Sequence, residues 1–454
     1  MKIIESIKTD ILVVGGGPAG IMAAKAAAVE GENVMLIERY GYLGGSATMS
    51  LVVPLMTFHA GEKQIVKGYA QDLLDEMKKY GGFEEHFIDP LGFGSSVTPV
   101  DTEVYKYVAQ EFLLEEGVDI RFHTELVSVN SSGNEIESVI VKTRSGFYEI
   151  IAKRFIDASG DGDLAYMADN PMKIGRDKDG KVQPMTMMFK IGNVDIEALI
   201  DYADAHPDQF VIDEDYNSLS EFKRIGISGF FEMVKEAKVD GALTFDRDRV
   251  LFFELLERGE IAVNMSRIIN KLSVHDFDLS NASIEGRRQI FEILQFFKKY
   301  LPGFENARII ESAHQVGVRE SRRIDGQYVL NEHDVVLGRA FEDGIACASW
   351  PIDIHDPEGK ELIVTHMEKG TYYEIPYRSL LPKKSKNLIV AGRNISATHE
   401  ALASARVSPT CMAMGQAAGI AASMSLSEQI PFDQVDTKKL RARLYETGQV
   451  LKIR

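Results

Sequence analysis

Short unbroken apolar runs punctuate the chain at Ile11-Leu12-Val13-Val14, Asn33 to Ile37, Phe155-Ile156 and Leu388-Ile389-Val390-Ala391. Runs this short and continuous predict strands buried on both faces, as in a parallel sheet covered by helices. Between the first two lies an alanine-rich stretch, Ala19 to Val29, closed by Gly31. It predicts a helix and completes a βαβ unit. Asp101 as N-cap and Gly117 just past the end bracket a second helix, followed by a strand around Ile120-Arg121-Phe122. Val139 to Val141 and Phe147 to Ile151 predict a hairpin. Beyond about Met167 the pattern changes. Acidic residues and lysines crowd the stretch 195–248, and helical periods alternate with loops, which predicts an inserted domain. Asp325-Gly326, within Arg323 to Gln327, predicts a further hairpin, because Asp-Gly supplies the positive φ angles of a type I′ turn. A small-residue helix is expected from about Pro409 to Met424. No internal repeat or low-complexity tract interrupts this order.

Composition narrows the function classes. With 51 Lys and Arg against 68 Asp and Glu, the net charge of the 454-residue chain is −17. A nucleic-acid binder usually carries a basic stripe, and an anionic membrane surface repels so acidic a chain. Hydrophobic residues at 45% with 26% charged exclude global disorder. Cys347 and Cys411 are the only cysteines, which excludes a disulfide scaffold, an all-cysteine zinc site and a cysteine-ligated iron–sulfur cluster within this chain. No metal is expected, and the reducing cytoplasm is the natural compartment. Glu5 and Asp10 interrupt what a secretory leader would keep apolar. The weakly charged stretch from Ile11 to Val29 holds Lys25 and the run Gly15-Gly16-Gly17-Pro18, which would break a membrane span.

The chemistry-bearing motif sits between the first strand and helix. In Gly15-x-Gly17-x-x-Gly20, Gly15 permits a tight turn, Gly17 lets backbone approach a pyrophosphate, and Gly20 lets the helix lie close to the sheet. Pro18 opens a helix whose free N–H groups, from Ala19 and Gly20 onward, and positive dipole end favour phosphate. Glu38, 18 positions after Gly20, ends the second strand where an acid can bind ribose hydroxyls. A glycine turn without a ligand is the alternative.

This constellation resembles the two-dinucleotide-binding-domain flavoproteins, with an FAD domain like that of glutathione reductase, and further segments point the same way. Arg39-Tyr40-Gly41-Tyr42-Leu43-Gly44-Gly45-Ser46 looks like the extension seen when the dinucleotide is FAD. Thr124-Glu125-Leu126-Val127 resembles the strand that brackets adenine. Ala158-Ser159-Gly160 resembles the second signature strand end, with Ser159 where threonine is usual. Gly392-Arg393 and the segment Pro409-Thr410-Cys411 resemble the C-terminal return, where a helix N-terminus faces the flavin pyrimidine. The whole set is similar to the broad FAD-dependent oxidoreductase family, including the segments 317–323, 350–355 and 374–380. The resemblance implies an α/β fold: a Rossmann-like FAD-binding domain with a parallel sheet, discontinuous in sequence, plus an inserted α+β substrate or cap domain. The expected divisions are 1–165 and 371–454 for the FAD domain and 166–370 for the insert. The stretch 195–283 carries no motif of the family.

Flavin supplies the hydride chemistry, so the chain must position substrate and move a proton. Asp353 and His355 share one face of a strand-like segment and can form an oriented base; a structural pair is the alternative. His399, the lone imidazole of the stretch 394–407 read as a loop, is the first candidate for a proton acceptor. Arg406, just before the last helix, suits an anionic substrate or the flavin edge. Arg319, Ser321 and Arg323 share a face if their segment is a strand; a salt-bridged hairpin is the alternative. Cys411 has no CxxC partner, so disulfide-reductase chemistry is not expected. The leading reading is an FAD enzyme transferring hydride to or from a small polar metabolite. Two others stay open: an electron-transfer subunit working with a partner protein, and a flavin-dependent reductase of an unsaturated lipid. No second glycine motif follows a strand, so NAD(P)H would bind only transiently. The pattern leaves self-association open.

Overall fold

The computed structural model describes residues 2–275, 277–358 and 362–452. Its centre is a five-stranded sheet. The elements that build the site are β1 (Ile11–Val14), α1 (Pro18–Val29), β2 (Val34–Ile37), α2 (Thr102–Leu114), β3 (Asp119–Arg121), β4 (Arg154–Asp157), β5 (Leu388–Val390), α3 (His399–Ala405) and α4 (Ser408–Ser427). The strand order is β5-β4-β1-β2-β3, and every pairing is parallel. Val13 lies between Leu36 and Ile156, and Ile156 in turn pairs with Ile389, so residues from both ends of the chain share one ladder. The apolar runs are buried throughout, as a sheet covered on both faces requires. Asn387, just before β5, pins the strand by a pair of hydrogen bonds to Ile136.

Helix boundaries follow local chemistry. Pro18 starts α1, where its missing N–H costs nothing. Asp101 caps α2 by accepting from the Val104 N–H. The expected hairpin is present as Glu135–Thr143 against Gly146–Ile151. A strand not anticipated, Ile3–Lys8, adds to it in parallel; its residues are mostly exposed, so no buried run advertises it.

The middle of the chain holds a six-stranded antiparallel sheet, including Phe189–Gly192, Val250–Glu254 and Ile261–Val263, and a long helix, Asp278–Tyr300. That helix buries Ala282, Gly286, Ile290, Ile293 and Phe297 on one stripe. The hairpin expected at Asp325-Gly326 is absent. Arg322–Ile324 pairs instead with Met172–Ile174, and Gly326 forms a bridge to Pro382. Close packing rather than turn geometry calls for this glycine, since a Cβ there would meet the Ser396 Cβ at 2.7 Å. Gly344–Ala348 pairs with Tyr373–Pro376, so hydrogen bonding runs across the division expected after residue 370. No helix among the described residues is long and apolar enough to cross a membrane. No cluster of three metal-ligating side chains occurs among them either.

Candidate active site

A cavity of about 520 Å³ opens where the C-terminal ends of β1, β4 and β5 meet the middle of the chain. The crevice beyond the carboxyl ends of parallel strands is where open α/β sheets bind ligands. Gly15, Gly17, Pro18, Ala19, Glu38, Arg39, Gly45 and Ser46 form one part of its wall. Leu126, Ala158, Ser159, Gly160, Gly392, Arg393 and Cys411 continue it. Asp353, His355 and Arg406 line it as well.

Six expected residues lie behind this wall. Gly20 serves packing: a Cβ on it would sit 1.8 Å from the Gly15 carbonyl oxygen. Gly44, at φ 111°, leaves no room beside Thr48. Val127 falls at a register shift in its strand, while Leu126 reaches the cavity. Pro409 and Thr410 are buried in the first turn of α4. His399 is the main correction. The stretch read as a loop contains α3, capped by Thr398 and built from helix-forming alanines and Leu402. His399 opens that helix, is buried, and brings Nδ1 to 2.8 Å from a Glu320 carboxylate oxygen. Neither His399 nor Glu320 lines the cavity.

The remaining groups are held in place before any ligand arrives. Glu38 accepts the Gly16 N–H at 2.7 Å on one oxygen and the Tyr40 N–H at 3.0 Å on the other. Ser159 donates to Asp157 and accepts the Asp163 N–H, so the turn uses a hydroxyl that serine and threonine share. Two helices, α1 and α4, point N-termini at the cavity without side-chain caps. Their free N–H groups are available to anions. A Cβ on Gly17 would meet nothing nearer than Gly45 Cα at 3.8 Å, so this glycine faces open space rather than packed protein. The cradle fits a dinucleotide. Gly17, α1 and Glu38 would hold pyrophosphate and ribose, and the N-terminus of α4 would face the flavin pyrimidine.

Sequence reasoning assigned no role to Asp161, which proves to be a hub. It accepts from Ser321 Oγ at 2.6 Å, Arg393 Nη2 at 3.0 Å and Ser273 Oγ at 3.1 Å. Burial raises its pKa, but Arg393, Ser321 and Arg39 outweigh that and hold it below the ordinary value. Its neighbour Asp163 is pushed up to about 6 by burial and by Asp161 and Asp157. The Asp161-Gly162-Asp163 run was the available signal. Ser321 and Arg323 do not share a face with Arg319. Arg323 pairs with Glu320, whereas Arg319 lines the cavity and donates to Pro184 O, Thr186 Oγ1 and Asn264 Oδ1.

At this end of the cavity Asp353 and His355 share a face of strand Ile352–His355, with Oδ2 and Nε2 3.4 Å apart. Burial, then the field of Arg319, pushes His355 down to about 3. Burial also opposes ionisation of Asp353, yet His355, Arg406 and Arg319 hold its pKa below the usual carboxylate range. At neutral pH the pair is therefore a neutral imidazole beside a carboxylate. Cys411 donates from Sγ to the Arg406 carbonyl, and burial pushes its thiol up to about 12, so it is no thiolate.

The chain is similar to several known proteins. Cinnamate reductase from Clostridium sporogenes is 43% identical over 77 residues, 16% of this chain and 11% of that protein. A probable fumarate reductase from Shewanella frigidimarina is 26% identical over 192 residues, 34% of this chain and 32% of that one. The matched segments thus span about a third or less of either relative. A geranylgeranyl bacteriochlorophyll reductase-like protein of Thermoplasma acidophilum aligns over 97% of this chain and 83% of its own, at 13% identity and a TM-score of 0.44. A sequence model of the FAD dependent oxidoreductases matches residues 10–444, a span that contains every wall of the cavity, and the chain belongs to that family.

Proposed function

We propose that this FAD-dependent oxidoreductase transfers hydride between a small polar metabolite and its flavin, using the cavity end formed by Asp353, His355 and Arg406. The observation that carries the reading is the contact of His355 Nε2 with Asp353 Oδ2, 3.4 Å apart in the cavity wall. FAD, when bound, supplies a two-electron acceptor or donor. The chain's own residues then handle the proton. An ionised Asp353 can only accept, so His355 Nε2 carries its hydrogen toward it and Nδ1 keeps the lone pair. That nitrogen can take the proton released by a hydroxyl or amine, or return one in the reverse direction. Asp353 stabilises the imidazolium that forms and fixes the ring, while Arg406 orients the substrate.

The test is anaerobic mixing of the purified flavoprotein with hydroxy acids, polyols and amines, and of the reduced protein with unsaturated acids, following the flavin absorption band. At least one small metabolite should bleach or restore it. His355→Asn and Asp353→Asn should retain FAD and slow that step by about 10²-fold or more. Electron exchange only with a protein partner, or only with long-chain lipids, would replace this reading by one of those alternatives.

A further inference from the structure

The wall that holds Asp353 and His355 is richer in positive charge than hydride transfer needs. Arg319 and Arg406 both line the cavity, enclosed by protein except for the surface they turn to it. Arg247 and Arg267 lie close enough to add to the same field. The latter two have Asp248 for a neighbour. Arg319 has no ion pair among the described residues; it donates to two oxygens of neutral side chains and one carbonyl. Arg406 is served worse still. Its Nη2 reaches Gln183 Oε1 only at 3.5 Å, and its Nε, fully buried, has no partner among the described residues. Asp353 is the acid facing both guanidinium groups within the cavity. Glu320, behind Arg406, is engaged by Arg323 and His399.

An enclosed guanidinium with unfilled donors is expensive unless an anion completes it. At this end of the wall Arg319 and Arg406 face one carboxylate, Asp353, so positive charge is in excess there. We infer that Arg406 and Arg319 form a subsite for the carboxylate of a small organic monoanion, so that the metabolite proposed above is a carboxylic acid. This inference rests on the reading of the cavity as the substrate pocket and names its substrate class. Asp353, beside both guanidinium groups, disfavours a phosphate ester, whose second charge would stand against it. The planar fork of arginine matches a carboxylate in two parallel hydrogen bonds. Trp350, in the same wall, offers a flat apolar flank for the body of such an acid.

The experiment is calorimetric titration of the FAD-loaded protein with acetate, benzoate and trans-cinnamate, beside benzamide and inorganic phosphate. At least one carboxylate should bind ten-fold or more tightly than benzamide and shift the flavin band. Arg406→Met should weaken that binding by about 10- to 100-fold with FAD content unchanged, the range expected of a charge-assisted bidentate pair. Arg406→Lys, which keeps the charge and loses the fork, should recover only part of it. Equal affinity for the amide, tighter binding of phosphate than of every carboxylate, or unchanged binding in Arg406→Met would each overturn the inference. Arg406→Met that alters the flavin spectrum but not carboxylate affinity would also overturn it, by assigning the guanidinium to the cofactor. Protein that binds a carboxylate but exchanges no electrons with any small molecule would sink the proposed function and leave the subsite standing. The reverse result would sink the subsite alone.

Discussion

Gly415 sits against Ala19 so closely that a Cβ on it would lie 2.1 Å from the Ala19 carbonyl oxygen. Four residues on, a Cβ on Gly419 would lie 2.3 Å from the Ala23 carbonyl oxygen. The first helix of the chain and the last long one therefore touch backbone to backbone. This contact fixes both uncapped N-termini in one cavity wall. Gly415→Ala must push the helices apart, because carbonyl oxygens cannot rotate out of the way. The expected loss is about 1–3 kcal/mol, the usual cost of overpacking. Ala19 and Pro18 would shift with α1, so FAD content should fall as well. Thermal denaturation with flavin quantitation checks both; an unshifted melting temperature with full FAD content would show that the contact is dispensable.

Gly17 provides the contrasting case. Its φ of −78° suits any residue, and its missing side chain faces the cavity rather than protein. Gly17→Val should therefore fold with the melting temperature of the wild-type apoprotein and bind no flavin. A yellow Gly17→Val protein would remove the pyrophosphate from this turn.

These two glycines show why part of the molecule was legible in sequence. Gly15, Gly17 and Gly20 act within six residues of chain, and the strand and helix that frame them announce themselves by apolar runs and alanines. The return strand was legible for the same reason, since β5 is an unbroken buried run. Long-range partners left no such mark. Nothing near His399 reveals that Glu320 will draw it inward, and nothing near Asp161 reveals that Ser273, Ser321 and Arg393 converge on it. The Asp325-Gly326 pair misled because two different demands select the same residue: positive φ in a turn, and here close packing against Ser396 and Leu381. The strands of the middle sheet, Val250–Glu254 and Ile261–Val263 among them, are short buried runs set among charged loops whose pattern carries no single period.

Neither cysteine should react in the native state. Burial pushes Cys347 and Cys411 each up to about 12, and both donate their thiol hydrogens to backbone carbonyls. Iodoacetamide at pH 8 should leave both unmodified in folded protein and alkylate both in denaturant, read by mass spectrometry. Cys411→Ala should leave flavin reduction by substrate unchanged within about two-fold. A large rate loss would return this residue to the chemistry.

His86 should make the protein acid-labile. Its Nε2 donates to Gln71 Oε1 at 3.0 Å, and in the neutral ring its Nδ1 accepts from Thr98 Oγ1 at 2.7 Å. Burial, then His59 with its ring 5.0 Å away, pushes the His86 pKa down to about 4. The unfolded chain protonates this side chain at about 6.5, the native one only near 4, so the unfolded state binds more protons between those values. The stabilisation is complete above pH 6.5 and drains away as pH falls through the window toward 4. At about 1.4 kcal/mol per pH unit, the loss is on the order of 3 kcal/mol before solvent screening reduces it. Asp89 and Asp163, both raised to about 6 chiefly by burial, work in the opposite sense and stabilise as pH falls. The total profile therefore mixes both signs, and the difference between wild type and a variant isolates the imidazole. His86→Gln can still donate to Gln71 and accept from Thr98 but cannot titrate. Its melting temperature should lie at or below that of wild type at pH 7.5 and fall less steeply between pH 6.5 and 4.5. Parallel profiles for the two proteins would mean that His86 takes up its proton equally well in both states.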